Sequence, residues 1–210
     1  MMRSGTIAAA LTLVAATPTT ARAQAASDSA RTDNLPINQG ILSLSNATIN
    51  LSNGNLQVVF IPLDERVLRL ITPDSYRSMQ RLLDQQRKAL DSAAASAGVA
   101  TPGIAFVSFQ GLAANTRFEP EQLTISYQGQ QLRPVAWVAL SPTFSNRQLD
   151  VRQQVQALFI YRRDIPVRES FTITYLTATS DDWAGRLSRF DQERSRILGI
   201  TRQRGDTTSH

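Results

Sequence analysis

The sequence predicts a mainly β protein: an antiparallel β-sandwich with one inserted helix at about residues 73–97 and one C-terminal helix at about 181–198. Three observations lead there. Apolar residues alternate with a period of two in several short runs, turn-forming residues separate those runs, and no helical pattern lies between the strands of the second half, as repeated β-α-β units would require. The chain has 210 residues and no cysteine, so its stability must come from packing, which this length supports in a single domain.

The first 25 residues have the layout of a secretory signal peptide. Arg3 lies in a short basic region, an apolar stretch runs from Ile7 to Ala16, and Pro18 and small residues lead to Ala23-Gln24-Ala25. Cleavage is expected after Ala25, with Ala23 as the alternative, giving a periplasmic or secreted chain. The apolar stretch is too short to span a bilayer comfortably, and no later segment is apolar for long enough. Cleavage removes Arg3 and Arg22 and no acid, which lowers the formal charge from +5 to +3. Residues 26–39 are rich in Ser, Asp, Ala and Thr without periodicity and read as a disordered leader, with the single domain over 40–200.

Within the domain, Ile41–Leu51 and Leu56–Leu63 are β-prone runs joined through Asn53-Gly54, a pair that tolerates the positive φ of a tight hairpin turn. Val67–Ile71 is expected to add a short strand. Thr72-Pro73-Asp74 then opens the inserted helix: threonine at the N-cap, proline at the first helical position and an acid where the helix dipole favours it. Tyr76, Met79, Leu83 and Leu90 form its apolar stripe, while Arg77, Arg81, Asp84, Arg87, Lys88 and Asp91 keep the other side wet. Ala93–Ala97 ends it at Gly98.

Five strand candidates follow: Ile104–Phe109, Leu123–Tyr127, Leu132–Leu140, Val155–Tyr161 and Phe171–Leu176. Gln128-Gly129-Gln130, Ser141-Pro142 and Arg163-Asp164-Ile165-Pro166 supply turn chemistry between them. Ser180-Asp181-Asp182 can cap a final helix in which Trp183, Leu187, Phe190 and Ile197 recur at helical spacing. Residues 201–210 carry little apolar content and read as a disordered tail. Trp137 and Trp183 are expected to anchor the core.

Phe118-Glu119-Pro120-Glu121 through Leu123-Thr124-Ile125, then Gly129, Pro134 and the closing pair from Ala157 to Tyr175, resemble exported bacterial immunoglobulin-like domains of unknown function. The resemblance covers about half of the chain. It implies an immunoglobulin-like sandwich closed by a late strand, a short loop and a final strand; the two helices depart from a minimal sandwich.

Composition narrows the chemistry. The single histidine, His210, is the last residue, so serine–histidine–acid triads, cysteine nucleophiles, cysteine or histidine zinc sites and disulfide scaffolds are excluded by inventory. No glycine-rich phosphate loop or alternating acidic calcium loop occurs, and no cofactor or metal is expected. Glu119 and Glu121 are the closest glutamates, but Pro120 between them favours a strand-entry turn over a catalytic pair. Asp64-Glu65 reads as a turn and Asp181-Asp182 as a helix cap. Lys88 lies on the wet side of a helix, and Arg204-Gly205-Asp206 is a short integrin-type match in the tail.

Lys88 is the only lysine among 22 basic residues; the rest are arginines scattered along the whole chain. Arg162, Arg163 and Arg168 bracket the turn before the last strand. With Arg133, Arg147 and Arg152 they are candidate contacts for an anionic partner, forming a basic rim at one end of the sandwich. The expected role is a non-catalytic exported binding or accessory module contacting another envelope protein. The alternatives are a binder of anionic envelope polymers through these arginine-bearing loops and a carboxylate-dependent hydrolase; nucleic acid is not expected as a partner.

Overall fold

The computed structural model describes residues 35–207, so the expected signal peptide, leader residues 26–34 and the last three residues lie outside the described residues. Leu35 and Gln39, expected within the leader, already make contacts with the fold. The Leu35 side chain is buried, and its carbonyl accepts Nη1 of Arg69 at 2.5 Å. Gly40 follows in close contact with the Leu70–Ile71 backbone, where any Cβ would collide with the Leu70 carbonyl.

The Asn53-Gly54 hairpin forms as its chemistry demands: β1 (Ile49–Asn53) pairs antiparallel with β2 (Leu56–Pro62), and Gly54 takes φ +55° in the turn. The strand expected over Val67–Ile71 is instead a short helix, α1 (Glu65–Leu68). Asp64 is the physical reason. Its carboxylate caps the helix by accepting the Arg66 N–H at 2.8 Å and holds the Arg66 guanidinium at 2.5 Å. The inserted helix, α2 (Pro73–Ser96), then runs within one residue of its expected span.

Seven strands from β3 (Gly103–Gly111) to β9 follow: β4 (Thr116–Arg117), β5 (Leu123–Tyr127), β6 (Gln130–Leu132), β7 (Pro134–Ala139), β8 (Gln148–Leu149) and β9 (Gln154–Tyr161). β10 (Thr172–Tyr175), β11 (Ala178–Ser180) and α3 (Asp182–Thr207) complete the chain. One sheet has the order β1-β2-β3-β9-β7 and the other β11-β10-β5-β6, with β4 and β8 a small separate pair. Every ladder is antiparallel. The run expected as one strand over Leu132–Leu140 is split at Arg133. Pro134 cannot donate to a ladder, and there the chain leaves the second sheet and joins the first, with an irregularity between Pro134 and Ala136.

The core lies between the two sheets. Alternation turns Val155, Ala157, Phe159 and Tyr161 of β9 inward with Ala105, Val107 and Phe109 of β3, against Leu123, Ile125, Ile173 and Tyr175 of the second sheet. Phe109 is the hub: its ring centroid lies 4.8 Å from Phe118, 5.6 Å from Tyr175, 6.1 Å from Phe159 and 6.3 Å from Phe144. On its outer face the first sheet is covered over β7 and β9 by α2, which buries Tyr76, Leu90 and Ala94.

α3 packs onto the segment that precedes β1. Trp183 is fully buried, stacks on Phe171 at 5.0 Å and donates its indole N–H to the Val167 carbonyl at 3.1 Å. Glu193, also buried, accepts the Ile41 N–H at 3.0 Å and two nitrogens of Arg196 at 2.8 and 2.6 Å. Arg196 in turn donates to the Gln39 carbonyl at 2.5 Å. The helix continues to Thr207, past the end expected near 198, because extension of an existing helix needs one hydrogen bond per added residue and no apolar face.

Removing Glu193 strands both the Ile41 N–H and a partly buried guanidinium, so Glu193→Ala should lower unfolding free energy by about 3 kcal/mol in urea titrations followed by tryptophan fluorescence. The two core tyrosines should respond with opposite signs. The Tyr161 hydroxyl is wholly buried without a hydrogen-bond partner among the described residues, and burial pushes its pKa far up. The Tyr175 hydroxyl accepts the Glu119 N–H at 2.9 Å. Tyr161→Phe should therefore leave stability unchanged or raise it by about 1 kcal/mol, and Tyr175→Phe should lower it by about 1 kcal/mol, read from denaturation midpoints.

Candidate binding surface

The six sequence-selected arginines do not form one rim. β9 separates them: Arg152 precedes its first residue, Arg162 and Arg163 follow its last, and Arg133 stands beside the Pro134↔Tyr161 pairing at that second end. Arg163 donates to Oε1 of Gln130 at 2.5 Å, which ties the loop before β10 to the β5–β6 turn, and Arg168 lies in the same loop. Gln128 adds a second tie, to Glu169 at 3.1 Å. At this arginine end, Arg66, Arg133, Arg162, Arg163 and Arg168 outnumber the carboxylates Asp64, Asp164 and Glu169. Arg66 is bound by Asp64 and lies 3.9 Å from Asp164.

Arg147 is not part of the arginine end; its carbonyl accepts the Phe118 N–H, beside the short Arg117–Gln148 pairing. At φ +56° it ends a 3-10 turn over Pro142–Asn146, and its guanidinium donates two hydrogen bonds of 2.9 Å to Glu121 while its Cζ sits 5.1 Å above the Trp137 ring. Trp137 is half-buried on an edge strand under this cation, not a core anchor of the Trp183 kind. Glu121 is therefore committed to an ion pair, and Pro120 places it in a 3-10 turn over Pro120–Gln122. Lys88 is exposed on α2, and Asp182 opens α3.

The opposite end, around the β1–β2 hairpin, has a different character. Four loops meet there and are cross-linked by main-chain bonds. The Leu112 N–H bonds the Asn55 carbonyl at 2.7 Å, the Gly111 N–H the Gln153 carbonyl at 2.9 Å, and the Arg152 N–H the Gly111 carbonyl at 2.7 Å. Gly111 has to be glycine, since a Cβ would collide with the Asp150 carbonyl. The Thr177 hydroxyl reaches Oδ1 of Asn53 at 3.3 Å, and the Thr116 hydroxyl bonds the Ala113 and Asn55 carbonyls.

On this rigid platform stand three aliphatic side chains that the fold leaves in water: Leu112, Val151 and Leu176, 47%, 55% and 50% exposed. Leu176 sits at φ +52° in the β10–β11 turn, a left-handed conformation that a leucine adopts only at a cost. Asn115 and Arg152 also have positive φ. An open hollow of about 320 Å³ between Asn53, Asn55, Asn115, Arg117 and Leu176 completes the surface; Arg117 lines it, and Arg152, whose N–H bonds the Gly111 carbonyl, lies in the adjoining loop. The sequence places Leu176 at the end of a strand over Phe171–Leu176, but the strand stops at Tyr175 and Leu176 turns to positive φ; Leu112 and Val151 carry no sequence signal, since neither exposure nor the sign of φ is encoded in composition.

Among the described residues no cluster of three His, Cys, Asp or Glu side chains could hold a metal, and no helix is long and apolar enough to cross a membrane. No protein-family model, curated protein or solved structure matches the chain.

The Arg147 pair makes the free sandwich edge responsive to acid. The hydrogen bonds from Arg147 hold the Glu121 carboxyl below its ordinary range. Its contribution to stability is thus fully present above the unfolded glutamate value of about 4.3 and is lost as pH falls through the lower folded value. Trp137 emission should change in that acid window before global unfolding, and Glu121→Gln should abolish the step while leaving far-UV circular dichroism intact.

Proposed function

We propose that the chain is an exported, non-catalytic binding module of immunoglobulin-like architecture that contacts another envelope protein through its hairpin end. The observation that carries this reading is Leu176, an aliphatic side chain held half-exposed at a left-handed φ, a placement unfavourable to both solvation and backbone. Leu112 and Val151 at the same end give it apolar company, and main-chain cross-links preorganise the platform, which lowers the entropic cost of docking. Arg117 and Arg152 suit a partner with an apolar centre and an acidic border.

The absence of catalysis is supported by the side-chain inventory and by the engagement of Glu121 with Arg147. No cofactor is required. The alternative, an anionic envelope polymer bound at Arg133, Arg162, Arg163 and Arg168, is favoured by the excess of arginine at the other end. The two readings separate by salt: a polymer contact weakens steeply as counterions compete, and an apolar protein contact does not.

Leu176→Gly provides the sharpest test, because it removes the φ strain and the apolar contact together. Unfolding free energy should stay level or rise by up to about 1 kcal/mol, while the crosslinked envelope partner, retained by the parent chain through a high-salt wash, is recovered about tenfold less. Retention by Leu176→Gly together with loss in an Arg133→Gln, Arg162→Gln and Arg163→Gln variant would overturn the reading in favour of the polymer. N-terminal sequencing of the exported chain should begin at Ala26, or at Gln24.

A further inference from the structure

The long helix does not lie flush on the sheet it covers. Between the middle turns of α2 and the outer face of β3 and β9 is a cleft of about 200 Å³. Leu63, Ile104 and Ile160 line its sheet side, and Leu83 and Leu90 of α2 line its helix side. A dry cavity of about 150 Å³ lined by leucine, isoleucine and phenylalanine is large enough to take up benzene, so this cleft has room for an apolar body of about six carbons.

The mouth is charged. Glu65 accepts Nε of Arg69 at 2.7 Å and the Tyr76 hydroxyl at 3.4 Å, and Gln80 also bonds it. Arg87 at the same mouth is turned back to Asp84, whose carboxylate it binds at 2.6 Å. Asp91, one helical turn beyond Arg87 and also lining the cleft, is a second carboxylate acting on the Arg87 guanidinium. With Glu65 set against Arg69, and Asp84 and Asp91 sharing Arg87, these groups leave one carboxylate charge in excess at the mouth, on the Asp91 side of the cleft.

From this combination we propose a binding site for a small amphipathic cation, its apolar body seated between Ile104, Ile160, Leu83 and Leu90 and its protonated amine at Asp91. The site lies on the helix-covered face and is independent of the hairpin-end contact. Apolar burial supplies most of the affinity, and the carboxylate supplies the preference for the head group.

Three probes with the same six-carbon body and different heads test it on the whole chain: n-hexylamine, 1-hexanol and hexanoate, titrated at neutral pH and low salt by calorimetry and by amide chemical shifts. Hexylamine should bind about threefold more tightly than hexanol, the size expected of an exposed ion pair, and hexanoate more weakly than either, with shifts centred on Leu83, Leu90 and Ile104. Asp91→Asn, on an exposed helix position, should bring amine and alcohol to the same affinity. Leu83→Trp should fill the cleft and lower binding of all three, and its circular dichroism and unfolding midpoint report whether the fold is kept. Equal binding of the three probes, no binding, shifts centred elsewhere, or an amine preference that survives Asp91→Asn would each overturn the proposal.

Discussion

With no cysteine to staple one sheet to the other, the sandwich depends on how well Phe109 is surrounded. This one ring, on the inner face of β3, touches Phe159 on its own sheet, Tyr175 on the facing sheet, Phe118 from the segment that crosses to that sheet, and Phe144 from the turn after β7. Aromatic groups bury large areas and gain further from tilted or offset ring pairs, so a cluster of this kind replaces covalent cross-links with area and shape. The loops inherit their positions from it. Phe118 fixes the segment that carries Glu119 and Glu121, and Phe144 fixes the turn that delivers Arg147 to Trp137. The hydroxyl of Tyr175 then ties the cluster to the backbone at Glu119, directly before the turn that presents Glu121.

The arginine-rich composition acquires a structural meaning. Arg66 donates to the Ile165 carbonyl, Arg69 to Leu35, Arg196 to Gln39, and Arg186 to the carbonyls of Ser45, Asn46 and Thr48 around the end of a short 3-10 turn. Loss of water on burial lowers the Arg186 pKa, and Asp182 partly offsets it. A planar fork with several fixed donors can bridge carbonyls on separate segments, which a lysine ammonium does less well. Through Arg69, Arg186 and Arg196 these side chains join residues 35–48 to α1 and α3, which is how a segment outside both sheets is held against the body of the fold.

Much of this architecture was legible because local chemistry and tertiary context agreed. Asn53-Gly54 dictates the hairpin, Thr72-Pro73 opens α2, and the alternation of Val155, Ala157, Phe159 and Tyr161 marks β9. The failures arise where they compete. Val67–Ile71 is apolar enough for a strand, but the Asp64 cap decides for a helix. Leu132–Leu140 reads as one run, yet Pro134 breaks it between sheets. The candidate site was less legible still: grouping arginines by type united residues that β9 holds apart, and the aliphatic tips at the hairpin end follow from tertiary exposure, which periodicity does not encode. Trp137 shows the same limit, since its place on an edge strand and not its neighbours in sequence leaves it half-covered by Arg147.

β2 and β3 are hydrogen-bonded neighbours, Pro62 opposite Ala105, yet residues 63–102 intervene. The equilibrium cost of such a closure grows only with the logarithm of its length, so the excursion weighs little on final stability. Its consequence lies in the order of assembly. A hairpin such as β1–β2 closes in microseconds, whereas pairing β3 with β2 requires a search over the whole intervening segment. Once α2 has formed, its 24 residues move as a rod of about 36 Å, and the search reduces to a few stiff pieces joined at Thr72 and Gly98. Helix formation within this excursion thus shortens the search that must precede the β2–β3 pairing.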